Sequence, residues 1–296
     1  MIKMTTMTII YNPHAGHNTG EWAAKRLQSA VVSHGGTAEL APTKSAGDAT
    51  QLARHAESAI VVAVGGDGTI SEVVAGLVPR ETPPILGIIP QGTVNNLARV
   101  LQIPPLPDLA IRNILTASAR PIDVGQVNDH YMISTMTLGV LANVAVSVTQ
   151  KEKQRFGPLA FLARGAKVLA QHQHWQLQLE SPQHQWTKDT QLMLVTMTNS
   201  VGGFTNFAPQ AKPDDGKFHV FVAPKLSIWH SLRALPYFLS GKFSKFPGMT
   251  YFTATELTVT ANKKLRTRID GDPSTHLPLE MKVISDHIRV LAPKKD

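Results

Sequence analysis

The pattern of apolar and polar positions predicts alternating strands and helices up to residue 127. Short apolar runs rich in β-branched residues, typical of buried strands, occur at 7–11, 59–64, 85–89 and 122–127, and a further strand is predicted at 37–40. Apolar residues at helical spacing predict helices at 21–33, 46–58, 69–77 and 109–117. This order is typical of an open, mostly parallel sheet with helices on both faces.

The pattern changes after residue 128. Alternation of apolar and polar residues predicts strands at 175–179, 191–198, 217–222, 256–260 and 287–290, and a helical pattern at 155–170 interrupts them. We therefore predict an α/β plus β fold class. An N-terminal doubly wound nucleotide-binding domain would span 1–127 with a C-terminal strand at about 286–296, and an antiparallel β-sandwich domain would span 128–285.

Three polar or glycine-rich turns follow three of the predicted parallel strands, at 12–16, 65–69 and 91–96. In a doubly wound sheet such turns gather at the carboxyl ends of the strands, where ligands bind. Their convergence favours a nucleotide or another phosphate ligand.

The turn at 65–69 contains three glycines around one acid. Gly65, Gly66 and Gly68 leave no Cβ between backbone N–H groups and a ligand, and the following helix directs its positive end to the same place. An acid in such a nest, Asp67, is expected to meet phosphate through Mg²⁺, or to take or orient a proton. The alternative is a plain strand-to-helix turn in which Asp67 caps the helix.

Composition narrows the class of protein. The chain has 296 residues, 43% of them hydrophobic and 17% charged, which indicates a globular protein. It has no apolar run near ~20 residues and no cleavable leader pattern, so we expect a cytoplasmic protein. The absence of cysteine excludes disulfides, thiol catalysis and cysteine-based zinc sites.

The net charge of the chain indicates what kind of partner it attracts. The formal net charge of +8 indicates attraction to nucleic acid, nucleotides or an acidic membrane surface. Residues 216–255 hold five Lys/Arg and no acid, interleaved with the aromatic residues Trp229, Tyr237, Phe238, Phe243 and Phe246. This segment is either a membrane-facing or lipid-facing element, or a cover on a core edge with its basic side in water.

Seven segments in order resemble the diacylglycerol kinase catalytic family, in particular the soluble bacterial lipid kinases. They are NPHAG (12–16), TKSAGDA (43–49), GGDGTISEVVAGL (65–77), LGIIPQGTVNNLAR (86–99), PIDVG (121–125), APQAKPDDGKF (208–218) and IDGD (269–272). The resemblance implies an ATP- and Mg²⁺-dependent lipid kinase, with diacylglycerol as the default acceptor and phosphatidic acid as the product.

The resemblance also implies metal ligands. Asp67 matches the acid associated with the ATP phosphates and Mg²⁺, and Asp123 matches an acid in a water-mediated network around that metal. Asp215 resembles the ligand of a structural Mg²⁺ site that the backbone carbonyls of Lys212 and Phe218 complete. The alternative for Asp215 is an ordinary Pro-Asp-Asp-Gly turn.

Motif position further implies nucleotide contacts. Asn12, Gly16 and Thr43 would contact the adenine nucleotide, and Thr69 and Thr93 would lie near its phosphates beside Gly65, Gly66 and Gly68. Arg99 would contact phosphate or a lipid head group.

Two positions depart from the family pattern. Asn96 stands where bacterial members commonly carry an acid, and an amide holds Mg²⁺ less well because it has no charge. Asp272 stands where the family has a glutamate as presumed general base, and it is the candidate base here although its side chain is shorter by about 1.5 Å. A weakly active or inactive nucleotide- or lipid-binding protein is therefore an alternative.

An NAD-kinase-like enzyme is another alternative, because it shares the GGDGT motif and the two-domain architecture. Nucleic acid is not an expected partner, since charge alone supports it and no binding motif accompanies the charge. The expected partners are ATP, a lipid substrate, an acidic membrane surface in reversible peripheral contact, and a second copy in a homodimer.

Overall fold

The computed structural model describes residues 6–139, 175–204, 207–223, 233–234, 236–237 and 240–294. The helix predicted at 155–170, and Lys225, Trp229 and Phe238 of the basic and aromatic segment, lie outside these residues. The chain divides into two compact units. Unit 1 comprises Met1–Val124, Pro213–Asp215 and Ile284–Asp296, and unit 2 comprises Gly125–Lys212 and Gly216–Val283.

The described strands and helices are as follows in chain order. The strands are β1 (Thr6–Tyr11), β2 (Thr37–Pro42), β3 (Ile60–Gly65), β4 (Ile85–Pro90), β5 (Ser118–Val127), β6 (His130–Met132), β7 (Thr135–Gly139), β8 (Trp175–Glu180), β9 (Gln185–Thr190), β10 (Leu192–Thr196), β11 (Phe218–Ala223), β12 (Thr250–Ala254), β13 (Glu256–Ala261), β14 (Arg266–Ile269), β15 (Asp272–His276) and β16 (Leu279–Ala292). The α-helices are α1 (Ala15–Asn18), α2 (Gly20–Ser33), α3 (Asp48–His55), α4 (Asp67–Leu77), α5 (Asn96–Val100) and α6 (Pro107–Thr116).

Unit 1 is built on a parallel sheet with the strand order β2-β1-β3-β4, and the last part of β16 pairs parallel to β4 at Val290 and Leu86. Every residue of β3 is buried, as its unbroken apolar run predicts for a central parallel strand. The order reverses between β1 and β3. In doubly wound folds the crevice at such a reversal is where ligands bind, outside the carboxyl ends of the strands.

Helices cover both faces of this sheet. Alternate residues of β1 and β3 pack with α2 and α6 in one apolar core, which includes Leu27 of α2 and Ile114 of α6. The other residues of β3, among them Val61 and Ala63, are equally buried, and α3 and α4 pack together beside β1 and β3. The contact between α3 and α4 is close because Gly76 has no side chain: a Cβ there would lie 2.3 Å from the carbonyl oxygen of Thr50.

Unit 2 is a sandwich of two antiparallel sheets. One sheet has the order β12-β11-β10-β7-β14-β15, and the other contains the first part of β16 followed by β13, β8 and β9. Strand β8 alternates buried and exposed residues, as the sequence predicts for a strand with one face in the core. Apolar side chains of both sheets, such as Leu177, Met193, Val220 and Leu279, fill the space between them. The predicted α/β plus β fold class is confirmed.

The basic and aromatic segment covers the outer face of the six-stranded sheet, as far as the structure describes it. Phe243 and Phe246 are buried in a second apolar cluster with Phe221 of β11. Lys242 and Lys245 are exposed beside them. The core-edge alternative therefore holds for this part, with the aromatic rings inward and the cations in water. No helix in the described parts of the chain is long and apolar enough to cross a membrane.

Candidate active site

The loops after β1 and β4 each form a backbone hydrogen bond to the end of β3, at the carboxyl edge of the unit 1 sheet. The Asn12 N–H donates to the Val64 carbonyl (3.1 Å), and the Gln91 N–H donates to the Gly65 carbonyl (2.8 Å). The strand order thus brings together three turns that are far apart in the sequence.

Two glycines let the second and third of these loops touch. A Cβ added to Gly92 would lie 2.7 Å from the Cα of Gly66 and 2.6 Å from Oδ1 of Asn95, closer than real Cβ atoms approach other heavy atoms. A Cβ on Gly66 would lie 3.2 Å from the Cα of Gly92. Backbone against backbone is therefore the only contact that fits, and the two glycine-rich turns form one surface.

Asp67 holds these two loops together through hydrogen bonds. It is the first residue of α4, and its Oδ2 and Oδ1 accept hydrogen bonds from the backbone N–H groups of Asn95 and Asn96, each at 2.7 Å. These N–H groups belong to the N-terminal end of α5. The acid thus holds the start of another helix, and the simple alternative in which it caps only α4 is insufficient.

The surroundings of Asp67 raise the pKa of its carboxyl group. Burial is the main cause, because it disfavours the charged form. The N–H groups of Asn96 and Asn95 and the positive charge of Arg99 oppose that effect without cancelling it. A carboxylate with such a pKa gains from a cation that neutralises it.

Asn95 was not predicted as a site residue. It adopts the left-handed conformation (φ 53°), its Oδ1 accepts the Gly92 N–H at 2.9 Å and its Nδ2 donates to the Gly92 carbonyl at 2.8 Å. An asparagine after a glycine turn is a signal for this conformation, because it tolerates positive φ better than most residues. Asn96, the predicted departure, contributes its backbone N–H whatever its side chain is.

The loop after β1 contacts Gln91 through Thr19. Neither of these two side chains was predicted as a site residue. The Thr19 hydroxyl lies 2.7 Å from Oε1 of Gln91 and 2.7 Å from the carbonyl oxygen of Gly16. Gly16 has φ 58°, and a Cβ on it would lie 2.5 Å from the same Gln91 oxygen. Asn12 stabilises the turn by accepting the His14 N–H at its Oδ1 (2.9 Å). Of the predicted nucleotide contacts, Asn12 and Gly16 therefore lie beside the glycine-rich surface.

Thr43 lies on the loop after β2, where its N–H donates to the Tyr11 carbonyl at 2.9 Å. Asp48 holds this loop: its Oδ2 accepts the N–H groups of Lys44 (2.7 Å) and Ser45 (2.9 Å). These bonds lower the pKa of the Asp48 carboxyl. Sequence reasoning missed Asp48, although an acid at the first helical position is a common cap.

The remaining predicted phosphate contacts, Thr69, Thr93 and Arg99, differ in their exposure and in their contacts. Thr69 packs under Gly65, where a Cβ would lie 2.5 Å from the Cβ of Thr69, and Thr93 is exposed. The Nε of Arg99 donates to the Val94 carbonyl at 2.6 Å, so the guanidinium is held at the end of the third loop.

Asp123 and the loop of Asp215 come together in unit 1. Asp123 is buried, its N–H donates to the Pro213 carbonyl (2.7 Å) and its Oδ1 accepts the Asp286 N–H (3.3 Å). Asp215, two residues beyond Pro213, is partly exposed. Lys212 is exposed, and Phe218 begins the buried strand β11 of unit 2. The structural magnesium site at Asp215 stays a prediction.

In unit 2 the motif IDGD forms the turn between β14 and β15. Asp270 (φ 49°) and Gly271 (φ 98°) are the two turn residues, and Ile269 pairs with Asp272 across them. Asp272, the predicted base, is exposed at the first position of β15. The guanidinium of Arg268 donates to the Gly271 carbonyl.

The carboxylate of Asp270 anchors this turn, which sequence reasoning missed. It accepts three backbone N–H groups, from Ile133 (2.9 Å), Ser134 (2.8 Å) and Thr135 (2.9 Å). The Asp270 N–H in turn donates to the Thr135 carbonyl at 2.7 Å. The position of Asp272 is thus fixed by the acid two residues before it.

The donor set at Asp67 fits a magnesium ion that arrives with phosphates. In the part of the chain that the structure describes, no three His, Asp or Glu side chains gather into a metal cluster. Magnesium is usually held by one or two carboxylates, several waters and substrate phosphates, and needs no all-protein cage. The Asp67 oxygens accept the N–H groups of Asn95 and Asn96, and because a carboxylate has about four lone-pair sites, capacity is left for a metal or a metal-bound water.

A glycine-rich backbone surface with an acid at its centre, at the reversal of a parallel sheet, is typical of phosphate-binding α/β proteins, and this chain adds a β-sandwich unit to it. Comparison with known proteins is consistent with this class. Residues 6–127 match the model of the diacylglycerol kinase catalytic domain, and residues 134–292 match the YegS C-terminal NAD kinase beta sandwich-like domain.

Relatives match over nearly the whole chain. A diacylglycerol kinase of Bacillus subtilis (strain 168) is 34% identical over 99% of this chain and 98% of its own length. One of Staphylococcus aureus (strain Newman) is 31% identical over 96% and 91%. The crystal structure of a diacylglycerol kinase from Bacillus anthracis str. Sterne has a TM-score of 0.78 at 20% identity, covering 99% and 98%. The chain belongs to the diacylglycerol kinase catalytic family and is a kinase, which confirms the resemblance.

Proposed function

We propose that the protein is an ATP- and Mg²⁺-dependent lipid kinase that transfers the γ-phosphoryl group of ATP to a lipid hydroxyl, with diacylglycerol as acceptor and phosphatidic acid as product. The observation that carries the proposal is the contact between the two glycine-rich loops, held by Asp67 through the N–H groups of Asn95 and Asn96. The names of the relatives support the choice of acceptor.

The nucleotide would use the joined loops of unit 1. Backbone N–H groups around Gly65, Gly66 and Gly68 are the proposed donors to its phosphates, because no Cβ shields them. Thr69 and Thr93 would contact the same phosphates. Asn12, Gly16 and Thr43 would contact the rest of the nucleotide, and Arg99 would contact phosphate or a lipid head group.

Asp67 would hold the nucleotide's Mg²⁺ directly or through water, with Asp123 and the Asn96 side chain in the surrounding network. When bound, the ion neutralises charge on the transferring phosphoryl group. Asp215, with the carbonyls of Lys212 and Phe218, would bind the separate structural Mg²⁺.

Asp272 is the proposed general base. It would take the proton of the acceptor hydroxyl as that oxygen forms a bond to the γ-phosphorus and the bond from this phosphorus to the bridging oxygen of ADP breaks. Asp270 is a positioning residue, since its three N–H bonds fix the turn that carries Asp272. Reversible contact with an acidic membrane surface and a homodimer complete the proposal.

An NAD-kinase-like activity is the second candidate. The description of the family model that matches residues 134–292 favours it, because it relates the sandwich to that of NAD kinases. Asp272 and Asn96 also leave room for a member with weak catalysis.

The test is transfer of labelled phosphate from ATP with Mg²⁺ to diacylglycerol, ceramide, sphingosine, monoacylglycerol and NAD in parallel. Asp272→Asn and Asp272→Glu are a matched pair, because the residue is exposed and neither change disturbs packing. Labelled phosphatidic acid that is lost in the Asn variant and still formed by the Glu variant supports the proposal. Label on NAD alone, or ATP binding with no labelled product, contradicts it.

A further inference from the structure

Large apolar side chains that face solvent are few in the described residues, and most of them gather in one place. They are Trp22 (50% exposed), Val32 (58%), Leu106 (62%) and Leu109 (47%). Trp22 lies in the first turn of α2, and Leu106 and Leu109 lie at the beginning of α6. Only Val32 lies elsewhere, in the last turn of α2.

Contacts join the two helix beginnings into one surface. The Arg26 guanidinium lies over the Trp22 ring, 5.5 Å from its centroid, and the same group forms an ion pair with the Asp108 carboxylate. Leu106 and Leu109 stand on either side of Asp108 in the sequence, at the same beginning of α6. We name Trp22, Leu106 and Leu109 the apolar patch.

The apolar patch belongs to the edge of unit 1 that carries the nucleotide loops. Helix α2 begins directly against the loop after β1, where a Cβ on Gly20 would lie 2.2 Å from the Asn12 carbonyl oxygen. Helices α2 and α6 pack on the same face of the sheet. Each follows a parallel strand and returns along the sheet, so its first turn lies at the carboxyl edge of the strands.

The charges around the apolar patch suit an anionic partner. The acids of the two described helices form ion pairs, Glu21 with Lys25 (2.7 Å) and Asp108 with Arg26. Arg112, one turn after Asp108 on α6, adds a third exposed cation. The whole chain carries a formal charge of +8. Exposed tryptophan and leucine beside cations are the composition of surfaces that insert into the head-group region of a bilayer.

We propose that Trp22, Leu106 and Leu109, with Arg26 and Arg112 around them, dock the protein on an anionic bilayer at the edge of unit 1 that binds the nucleotide. The inference rests on the proposed function in that a lipid acceptor has to be taken from such a surface. It also differs from the sequence-based expectation. In the described part of the basic and aromatic segment Phe243 and Phe246 are buried, whereas the apolar patch exposes its side chains.

The test is co-sedimentation of the full chain with phosphatidylcholine vesicles, with and without phosphatidylglycerol. One variant combines Trp22→Gln, Leu106→Ser and Leu109→Gln. Leu106 is the N-cap residue of α6, where serine is favoured, and glutamine suits a helix interior, so the fold is retained. Val32→Gln is the matched control, because it removes an equally exposed apolar side chain at the other end of α2.

We expect partitioning onto vesicles with phosphatidylglycerol to fall at least about tenfold in the combined variant, because the inserted apolar surface is lost. The control should stay within about twofold of the parent chain, as expected for an isolated surface change. Arg112→Gln should lower partitioning about fivefold on anionic vesicles and leave neutral ones unchanged.

Unchanged vesicle binding by the combined variant overturns the inference, and so does an equal loss in the Val32→Gln control. Loss of a dimer in sedimentation velocity, with vesicle binding retained, would assign the apolar patch to a second copy and also overturn it. The thermal midpoint of each variant shows whether it is folded. If the combined variant unfolds, the vesicle binding of the single variant Trp22→Gln is measured in its place. Phosphorylation of a short-chain diacylglycerol below its aggregation limit tests the proposed function separately, since it needs no docking.

Discussion

Replacing Asp67 by asparagine tests whether this acid acts in phosphoryl transfer or only holds the fold. The carboxylate accepts two backbone N–H groups at 2.7 Å, from Asn95 and Asn96. Asparagine keeps one oxygen and turns an N–H₂ group towards the other donor, so one bond to a charged acceptor is lost, at about 1.5–3 kcal/mol. The neutral amide avoids the cost of burying a charge, the main cause of the raised pKa.

The net expectation for Asp67→Asn is a loss of about 1–2 kcal/mol in the free energy of unfolding. For a unit of this size that corresponds to a thermal midpoint lower by about 2–8 °C, measured by circular dichroism. We expect kcat/KM to fall far more, about hundredfold or more, because an uncharged amide holds the nucleotide's Mg²⁺ less well and does not complement its charge. Activity is assayed well below both midpoints so that the folded fraction is the same.

Asp48→Asn is the control for this experiment. Its carboxylate also accepts two backbone N–H groups of a loop, from Lys44 and Ser45. We expect a lower midpoint with kcat within about threefold of the parent value, as for a change that leaves the reacting groups in place. An Asp67→Asn variant that loses stability yet keeps kcat within the same range would refute the catalytic argument and leave Asp67 as a structural brace.

Four further predictions follow from single contacts. Gly92→Ala should raise the Kd for ATP at least about tenfold, measured by calorimetry, because its Cβ would push against Gly66; an unchanged Kd would contradict the loop geometry. Asp270→Asn should lower the free energy of unfolding by about 1.5–3 kcal/mol in urea and reduce kcat together with it, since the carboxylate holds three N–H groups. Asp272→Asn should leave the urea midpoint unchanged and reduce kcat by about 10²–10⁴, with Glu restoring activity; equal kcat in both variants would exclude the base. The lowered pKa of Asp48 means that its stabilisation is present above the ordinary aspartate pKa of about 3.9 and is lost as the pH falls through the folded-state value. The stability difference between the parent and Asp48→Asn should therefore be constant well above the ordinary pKa of about 3.9 and shrink as the pH falls below it, and a difference that stays constant at low pH would contradict this.

The elements of unit 1 were predictable because their signals are local. The apolar run before Gly65 and the helical spacing after Asp67 each lie within a few residues, and parallel strands buried on both faces leave unbroken apolar sequence. The same locality explains why the turn at 65–69 was recognised as a phosphate-binding candidate.

The partners of the two acids were not predictable, because they are distant in sequence. Asp67 binds N–H groups 28 and 29 residues away, and Asp270 binds N–H groups up to 137 residues away. A side chain that bonds to backbone leaves no pattern at the partner position, since every non-proline residue offers the same N–H. Asn95 had a detectable signal, namely an asparagine in a glycine turn that requires positive φ.

The predicted roles of individual residues depend on chemistry that folding alone does not encode. Asp272 is exposed, so nothing in its packing marks it as a base. Asp270, two residues earlier in the same motif, is the acid whose structural role is visible, because its carboxylate accepts backbone hydrogen bonds.

Unit 1 is built from three separate stretches of the chain. This arrangement sets the order in which its parts can assemble during synthesis. The parallel sheet gains its last strand from β16, where Val290 pairs with Leu86 and the Leu291 carbonyl accepts a bond from Asn113. The ribosome therefore has to synthesise the chain as far as β16 before the parallel sheet of unit 1 can gain this strand. Until then the open side of β4 is an unpaired strand edge, the kind of surface that chaperones shield and that aggregation exploits.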